Sequence, residues 1–363
     1  LSRILEFDVA NLNVTIEAGM RLADLQAKLG KERQFLPLDP PAEEQATVGG
    51  TLATNSSGPC RLLYGTARDW MLGMRVVLAN GERIRCGGKV IKNVSGYDMN
   101  KLFIGSLGTL GIITEATFKL LPLPAIRASV AAVFGEIGQA AGVVAKVLDS
   151  VLLPEAMELL GADAIPLLGP RLGLDTAGYG LAVSLAGSRE TVERQVRDFT
   201  GLFRDAQARA TVTLTDERTA PSWKAVRNVF DLLPSKPSER ILCKIGVVIS
   251  RTADILAAAE ALGRRHKLRS VVTAHAGSGI VRACYLPGPE SPPIEVLAGA
   301  IEELRREAEK AEGSLVLQAS PAGLKAHLDA WGKPGGAFEV MRRLKAEFDP
   351  QSLCNPGRFV GGI

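Results

Sequence analysis

The chain has 363 residues, 46% of them hydrophobic, a length that suits about two domains with ordinary cores. Its 43 Lys and Arg against 39 Asp and Glu leave a net charge of +4 spread along the whole length, which argues against a nucleic acid partner. No stretch approaches the roughly 18 uninterrupted apolar residues of a membrane span, and no basic segment with an apolar core opens the chain, so a cytoplasmic protein is expected.

The sequence starts at Leu1 without an initiator Met and reads as a fragment. A strand is predicted at 13–19, then a short amphipathic helix at 20–29 with Leu22, Leu25 and Leu29 on one face and Gly30 as its stop. Residues 35–41 are too proline-rich for a helix or central strand, and the Gly, Thr, Asn and Ser of 47–65 read as a backbone-driven loop. Alternation returns at 75–79, and Asn80-Gly81 predicts a two-residue hairpin turn into 83–85. A second Gly-containing segment, 105–111, leads into a strand at 112–118, and Pro122 and Pro124 mark a boundary.

Beyond that boundary, helical faces are predicted at Val192, Val196, Phe199 and Phe203 and at Ile255, Ala259 and Leu262, with strands at 180–186, 210–215, 241–250, 269–275, 279–285 and 314–318. The order from 241 to 318 predicts a split β-α-β unit of ferredoxin-like type, an antiparallel sheet with helices on one face. The fold class is therefore α+β. The expected organisation is 1–125, a second domain at 126–320, and a C-terminal segment at 321–363.

Five widely spaced cysteines, with no C-x-x-C pair and no His at ligand spacing, exclude a zinc ribbon or an iron–sulfur cluster and suit reduced thiols; no metal is expected. Glycine is in excess, 38 of 363 residues, and twelve of these fall between Gly49 and Gly111. Consecutive glycines in Thr47-Val48-Gly49-Gly50-Thr51 let backbone N–H groups turn around an anion, for which a diphosphate is the natural guest; a purely structural turn is the alternative. Neither Gly-containing loop spells the G-x-G-x-x-G of a Rossmann fold.

These residues resemble the vanillyl-alcohol oxidase family of flavoproteins, which share the FAD-binding domain of p-cresol methylhydroxylase (PCMH type). The matching text is "LPLDPP…ATVGGTLATNSSGP", "YGTARDWMLGMRVVLANGE", "KNVSGYDMNKLFIGSLGTLGIITEATFKLLPLP" and "FDPQSLCNPGRF". Within the family, the Lys92–Asp98 run and Gly105-Ser-Leu-Gly look most like the FAD-binding E subunits of bacterial glycolate oxidases. The resemblance implies a PCMH-type FAD-binding domain whose first Gly-rich loop would precede residue 1, plus a cap domain bearing the antiparallel sheet. It implies FAD, held without a covalent bond. Thr47, Val48, Gly49, Gly50 and Thr51 would hold the diphosphate, with Leu36, Pro37 and Leu38 beside the flavin. Asn55, Ser57, Gly58, Tyr64, Gly65 and Asp69 would continue the wall, Gly108, Gly111, Ile112 and Ile113 would follow the adenosine half, and Asn355 would approach from the C-terminal segment.

The expected activity is that of the FAD-binding subunit of a glycolate oxidase-like complex, which oxidises a 2-hydroxy acid to a 2-oxo acid. Its partners would be a catalytic flavin subunit and an iron–sulfur subunit, any attachment to the inner membrane being made through them. Two alternatives stay open: a self-sufficient dehydrogenase of D-lactate type, and a non-catalytic assembly subunit that retains FAD. The segment His275-Ala-Gly-Ser-Gly-Ile-Val-Arg282 resembles the "HAGDGNLH" of lactate-type dehydrogenases, with Ser278, Ile280 and Arg282 in place of Asp, Asn and the second His, and Leu107 stands where many catalytic relatives have Glu. A flavin oxidase needs a base for the substrate hydroxyl proton, and His275 is the candidate because it stands in a Gly-rich loop between strands. Arg282 is the candidate clamp for a substrate carboxylate.

Overall fold

A computed structural model of the chain describes residues 1–88 and 97–363; residues 92–96 of the Lys92–Asp98 run lie outside the described residues. Two compact units form, one from residues 1–123 with 333–363, the other from 124–332.

In the first unit, β1 (Ile4–Asp8) and β2 (Asn13–Glu17) make a hairpin, followed by α1 (Leu22–Lys31), β3 (Gln34–Phe35), α2 (Val48–Thr54), α3 (Arg61–Tyr64) and α4 (Ala67–Trp70). Next come β4 (Met71–Val77), β5 (Arg83–Gly87), α5 (Asn100–Phe103), β6 (Ile112–Lys119) and β7 (Leu121–Pro122). The sheet runs β1-β2-β6-β4-β5, antiparallel throughout. Alternate residues of its strands, among them Val14, Ile16, Val76, Ala116 and Phe118, share a core with Leu22, Leu25 and Leu29 of α1 and Leu52 of α2.

Three expectations need correction here. Gly30 lies inside α1; the chain leaves the helix through Glu32 and Arg33, which has a φ of 54° and donates its N–H to Gly30 O. The loop expected at 47–65 contains two helices: Thr47 caps α2 by accepting a hydrogen bond from Gly50 N, so a good cap overrides poor propensity. The Asn80-Gly81 hairpin has a three-residue loop, because Leu78 and Glu82 still pair across it (N···O 2.9 Å) while Gly81, at φ 84°, closes the turn onto Leu78 O.

The second unit opens with β8 (Ile126–Phe134), α6 (Ile137–Leu148), β9 (Ala156–Leu160), α7 (Ile165–Leu172), β10 (Tyr179–Gly187), α8 (Arg189–Asp205) and β11 (Ala210–Leu214). It continues through α9 (Asp216–Arg227), β12 (Ile241–Gly246), α10 (Thr252–Arg265), β13 (Arg269–His275), β14 (Ile280–Leu286), α11 (Ile294–Lys310) and β15 (Ser314–Ala319). Its eight-stranded sheet runs β11-β8-β10-β9-β13-β14-β12-β15. Each half has the strand order of a ferredoxin-like unit, so the arrangement predicted for 241–318 occurs twice, the first time with α7 inserted between its second and third strands. The two repeats join where β9 meets β13, in three antiparallel pairs: Thr273 with Leu160, Ala274 with Leu159, and His275 with Glu158.

Helices cover both faces rather than the single face expected. Phe203 of α8 packs edge-on to Phe134 of β8, 5.9 Å between centroids, and Tyr285 of β14 donates its hydroxyl to Ala259 O of α10. On the opposite face, Ile165, Leu168, Val226 and Phe230 from the α7 and α9 region pack over Ala131, Ala182, Leu160 and Cys284. The chain then returns to the first unit, where α12 (Phe338–Phe348) sets Phe348 edge-on against Phe103, 5.7 Å between centroids.

Candidate functional site

The sequence expectation placed a diphosphate on the backbone at 47–51. There the N–H groups are engaged within the chain: Val48 N donates to Met20 O (2.9 Å), Gly49 N to Ala18 O (2.7 Å), Gly50 N to Thr47 Oγ1 (3.1 Å) and Thr51 N to Thr47 O (2.9 Å). Gly49 is small for packing reasons too, since a Cβ there would lie 3.0 Å from the Ala18 Cβ. This start of α2 is a cap and a packing contact.

The opposite end of α2 carries the more open chemistry. Asn55 ends the helix in the left-handed conformation, and its buried Oδ1 has no hydrogen-bond partner among the described residues. The 105–111 segment docks here, with Gly105 N donating to Leu52 O (2.9 Å) and Leu107 N to Ala53 O (2.8 Å). Gly105 and Gly108 both have positive φ, 87° and 73°, and a Cβ on Gly108 would meet nothing nearer than Asn355 Nδ2, 3.8 Å away. Asn355 comes from the C-terminal segment and donates Nδ2 to Leu107 O at 2.5 Å. Residues separated by three hundred positions of sequence thus share one small surface.

The other expected FAD residues have structural partners of their own. Leu36, Pro37 and Leu38 are buried, and the Gln26 side chain holds both backbone groups of Leu36 (3.1 and 2.6 Å). The Asp39 carboxylate accepts from Gly58 N (3.1 Å) and Cys60 N (3.0 Å), and a Cβ on Gly58 would come within 2.0 Å of Asp39 O. Ser57 accepts from Arg61, while Tyr64 stacks edge-on to Phe35 and takes a hydrogen bond on its carbonyl from Trp70 Nε1 (2.6 Å). Asp69 closes a capping box with Thr66 beneath Gly65. Gly111 passes against Val76 and Val77, so that Ile113 and Ile112 can pair with them at the start of β6.

The residues around Asn55 fit FAD. An orphaned acceptor calls for a donor, and the flavin N3–H and the ribityl hydroxyls are donors; the glycines at 105 and 108 leave room for a ring or chain to approach backbone.

In the second unit, His275 ends β13 instead of standing in the loop. It is 5% exposed, and its Nδ1 is hydrogen-bonded to Oε1 of Glu158, itself 2% exposed, across the junction of the two repeats. Arg282 stands opposite Thr273 and Lys244 on the same sheet face, which makes it a diagonal neighbour of His275, roughly 7–8 Å away by ladder geometry. Its guanidinium lies 4.7 Å over the Phe230 ring. Burial lowers the Arg282 pKa, and the Glu158 charge opposes that shift. Sequence reasoning found His275 and Arg282 and missed Glu158, whose one available signal is an acid within the apolar run Ala156–Leu160.

Among the described residues, no helix is long and apolar enough to cross a membrane. The family model for an FAD binding domain matches residues 1–87, and that for FAD linked oxidases, C-terminal domain, matches residues 123–359. The chain is 31% identical to glycolate oxidase subunit GlcD of Bacillus subtilis, over 99% of this chain and 77% of that protein. It is 29% identical to a D-lactate dehydrogenase of Anaerostipes hadrus, over 99% and 78%. With glycolate oxidase subunit GlcE of Escherichia coli it shares 42% identity, over 33% of this chain and 35% of that one. Solved structures with the same fold include an alkyldihydroxyacetonephosphate synthase (TM-score 0.73, 18% identity, 99% of this chain and 67% of that one) and p-cresol methylhydroxylase (TM-score 0.68, 16% identity, 96% and 76%). The chain belongs to the FAD-linked oxidase family and is an FAD-dependent oxidoreductase.

Proposed function

We propose that the protein serves the oxidation of a small 2-hydroxy acid to a 2-oxo acid, as the FAD-binding subunit of a glycolate oxidase-like complex that passes electrons to a partner. The observation that carries this reading is the Glu158–His275–Arg282 constellation in a chain similar to glycolate oxidase and D-lactate dehydrogenase proteins over nearly its whole length. In the first unit, Asn55, Gly105, Gly108 and Asn355 would hold FAD. When bound, FAD supplies the hydride acceptor.

In the second unit, Glu158 holds the His275 ring through Nδ1, which leaves Nε2 to take the substrate hydroxyl proton. Arg282 would receive the substrate carboxylate with the two parallel N–H donors of its guanidinium. Phe230 lies under that guanidinium and offers its ring face to the charge.

A self-sufficient dehydrogenase of D-lactate type is the second reading, favoured by the match to D-lactate dehydrogenases over 99% of the chain. Full-length protein purified with and without its partners, and assayed with glycolate and an artificial electron acceptor, separates the readings. Turnover only with the catalytic flavin and iron–sulfur partners supports the complex. Turnover by the chain alone supports the dehydrogenase. Retained FAD with no dependence of turnover on this chain's His275 would leave it an assembly subunit.

A further inference from the structure

We propose that Lys345 is a positioning residue for FAD, clamping the C-terminal segment to the 106–109 turn so that Asn355 is presented at the cofactor site. This rests on the reading that Asn355 and that turn hold FAD.

Lys345 lies on α12 and is 8% exposed, an unusual place for an ammonium group. All three of its N–H donors are used: Nζ donates to Thr109 O (2.8 Å), Asp349 Oδ2 (2.6 Å) and Cys354 O (3.0 Å). Asp349, 1% exposed, also accepts from Leu353 N (2.9 Å) and Cys354 N (2.7 Å). Burial pushes the Asp349 carboxyl up, but the Lys345 bond and the two backbone N–H groups outweigh it and hold the group below its usual range.

The three oxygens gathered by Nζ belong to the turn, the end of α12 and the residue just before Asn355. Thr109 is itself bound back to Ser106 O through both N (3.1 Å) and Oγ1 (2.8 Å), so fixing its carbonyl fixes the turn. The C-terminal segment is therefore tied to the turn at two points, Lys345 on Thr109 O and Asn355 on Leu107 O. Attachment alone would be served by the apolar contact of Phe348 with Phe103. A buried ion pair adds little net stability over a well-packed apolar replacement; what it adds here is register, since three directional bonds allow one placement of residues 353–355.

The test is an FAD titration of the full-length protein carrying Lys345→Met, Asn355→Ala, or both, with thermal melts of the FAD-free forms. Each single substitution is expected to weaken FAD by about tenfold or more, the equivalent of one charge-assisted hydrogen bond. The double variant should lose no more than the weaker-binding single one, because Lys345 acts through Asn355. Lys345→Arg, which keeps the charge and the donors, should recover part of the affinity. Losses that multiply in the double variant, or wild-type affinity in Lys345→Met beside a weakened Asn355→Ala, would overturn the clamp. Unchanged affinity in Asn355→Ala would overturn the reading of the FAD site and the clamp with it. If Lys345→Met does not fold, Lys345→Met with Asp349→Asn removes both charges together, and the same comparison is made in that background.

Discussion

Replacing Glu158 by Gln keeps the shape of a nearly inaccessible side chain and removes its charge. The partner is the His275 Nδ1 across the β9–β13 junction, where three residue pairs continue the sheet from one ferredoxin-like repeat to the other. A charge-assisted hydrogen bond contributes about 1.5–3 kcal/mol and a neutral one about 1 kcal/mol, so the substitution should cost the second unit about 0.5–2 kcal/mol. For a unit of 150–250 residues each kcal/mol corresponds to roughly 2–4 °C in melting temperature, so calorimetry of Glu158→Gln should show a loss of roughly 1–8 °C. The chemical effect should be larger. If Glu158 sets the orientation of the base, turnover with glycolate should fall by about 10²–10⁴-fold, the usual contribution of a positioned base, while FAD stays bound. A melting temperature and turnover both equal to wild type would refute the argument. A lost melting temperature with unchanged turnover would leave the pair a structural seam and remove His275 from the chemistry.

Three further outcomes follow from the same geometry. Glu260 on α10 is fully buried, and burial, followed by the charge of Asp163, raises its pKa; a raised folded value gives stability that is complete below the ordinary Glu pKa of about 4.3 and is lost as pH rises through the folded value, so Glu260→Gln should raise the melting temperature at pH 8 and leave it unchanged at pH 4, and a lower value at pH 8 would contradict this. Burial pushes the Cys243 thiol up to about 12 and Cys284 up to about 11, and Cys86 is buried as well, so a thiol reagent at pH 8 should label Cys60 and Cys354 in the native protein and all five cysteines after denaturation; native labelling of Cys243 would count against the packed sheet. Arg282→Met removes the charge over Phe230 and should raise KM for glycolate by about tenfold or more with FAD affinity unchanged, whereas an unaltered KM would exclude Arg282 as the carboxylate clamp.

The first unit is legible from sequence because its meaning sits in short, contiguous text, and its Gly-rich segments point to a cofactor domain by themselves. The detail within them was less legible. Gly49 and Gly50 suggested N–H groups open to an anion, but the N–H partners are Ala18 O and Thr47 Oγ1, the first supplied from thirty residues upstream. Asn55 is among the residues the resemblance assigns to FAD, yet its orphaned Oδ1, the observation that gives it weight, is a property of packing.

The second unit was half legible. The repeat at 241–318 showed itself because β13 and β14 are separated by a glycine-bearing turn and flanked by amphipathic helices. The first repeat was hidden because every residue of β9 is buried and so shows no alternation, and because α6 is rich in Ala, Val and Gly. Glu158 was lost with β9, and its partner lies 117 residues away, a separation that no local pattern reports.

The central claim is that a 2-hydroxy acid reduces the FAD that this chain carries within the proposed complex. The most direct measurement is visible absorption of the purified, FAD-loaded complex under anaerobic conditions as glycolate is added, repeated with His275→Ala in this chain. The account predicts bleaching of the oxidised flavin band with wild-type protein and loss of the bleaching attributable to this chain's flavin in the variant. Flavin that stays fully oxidised at saturating glycolate and D-lactate, or bleaching that is identical with His275→Ala, would contradict it.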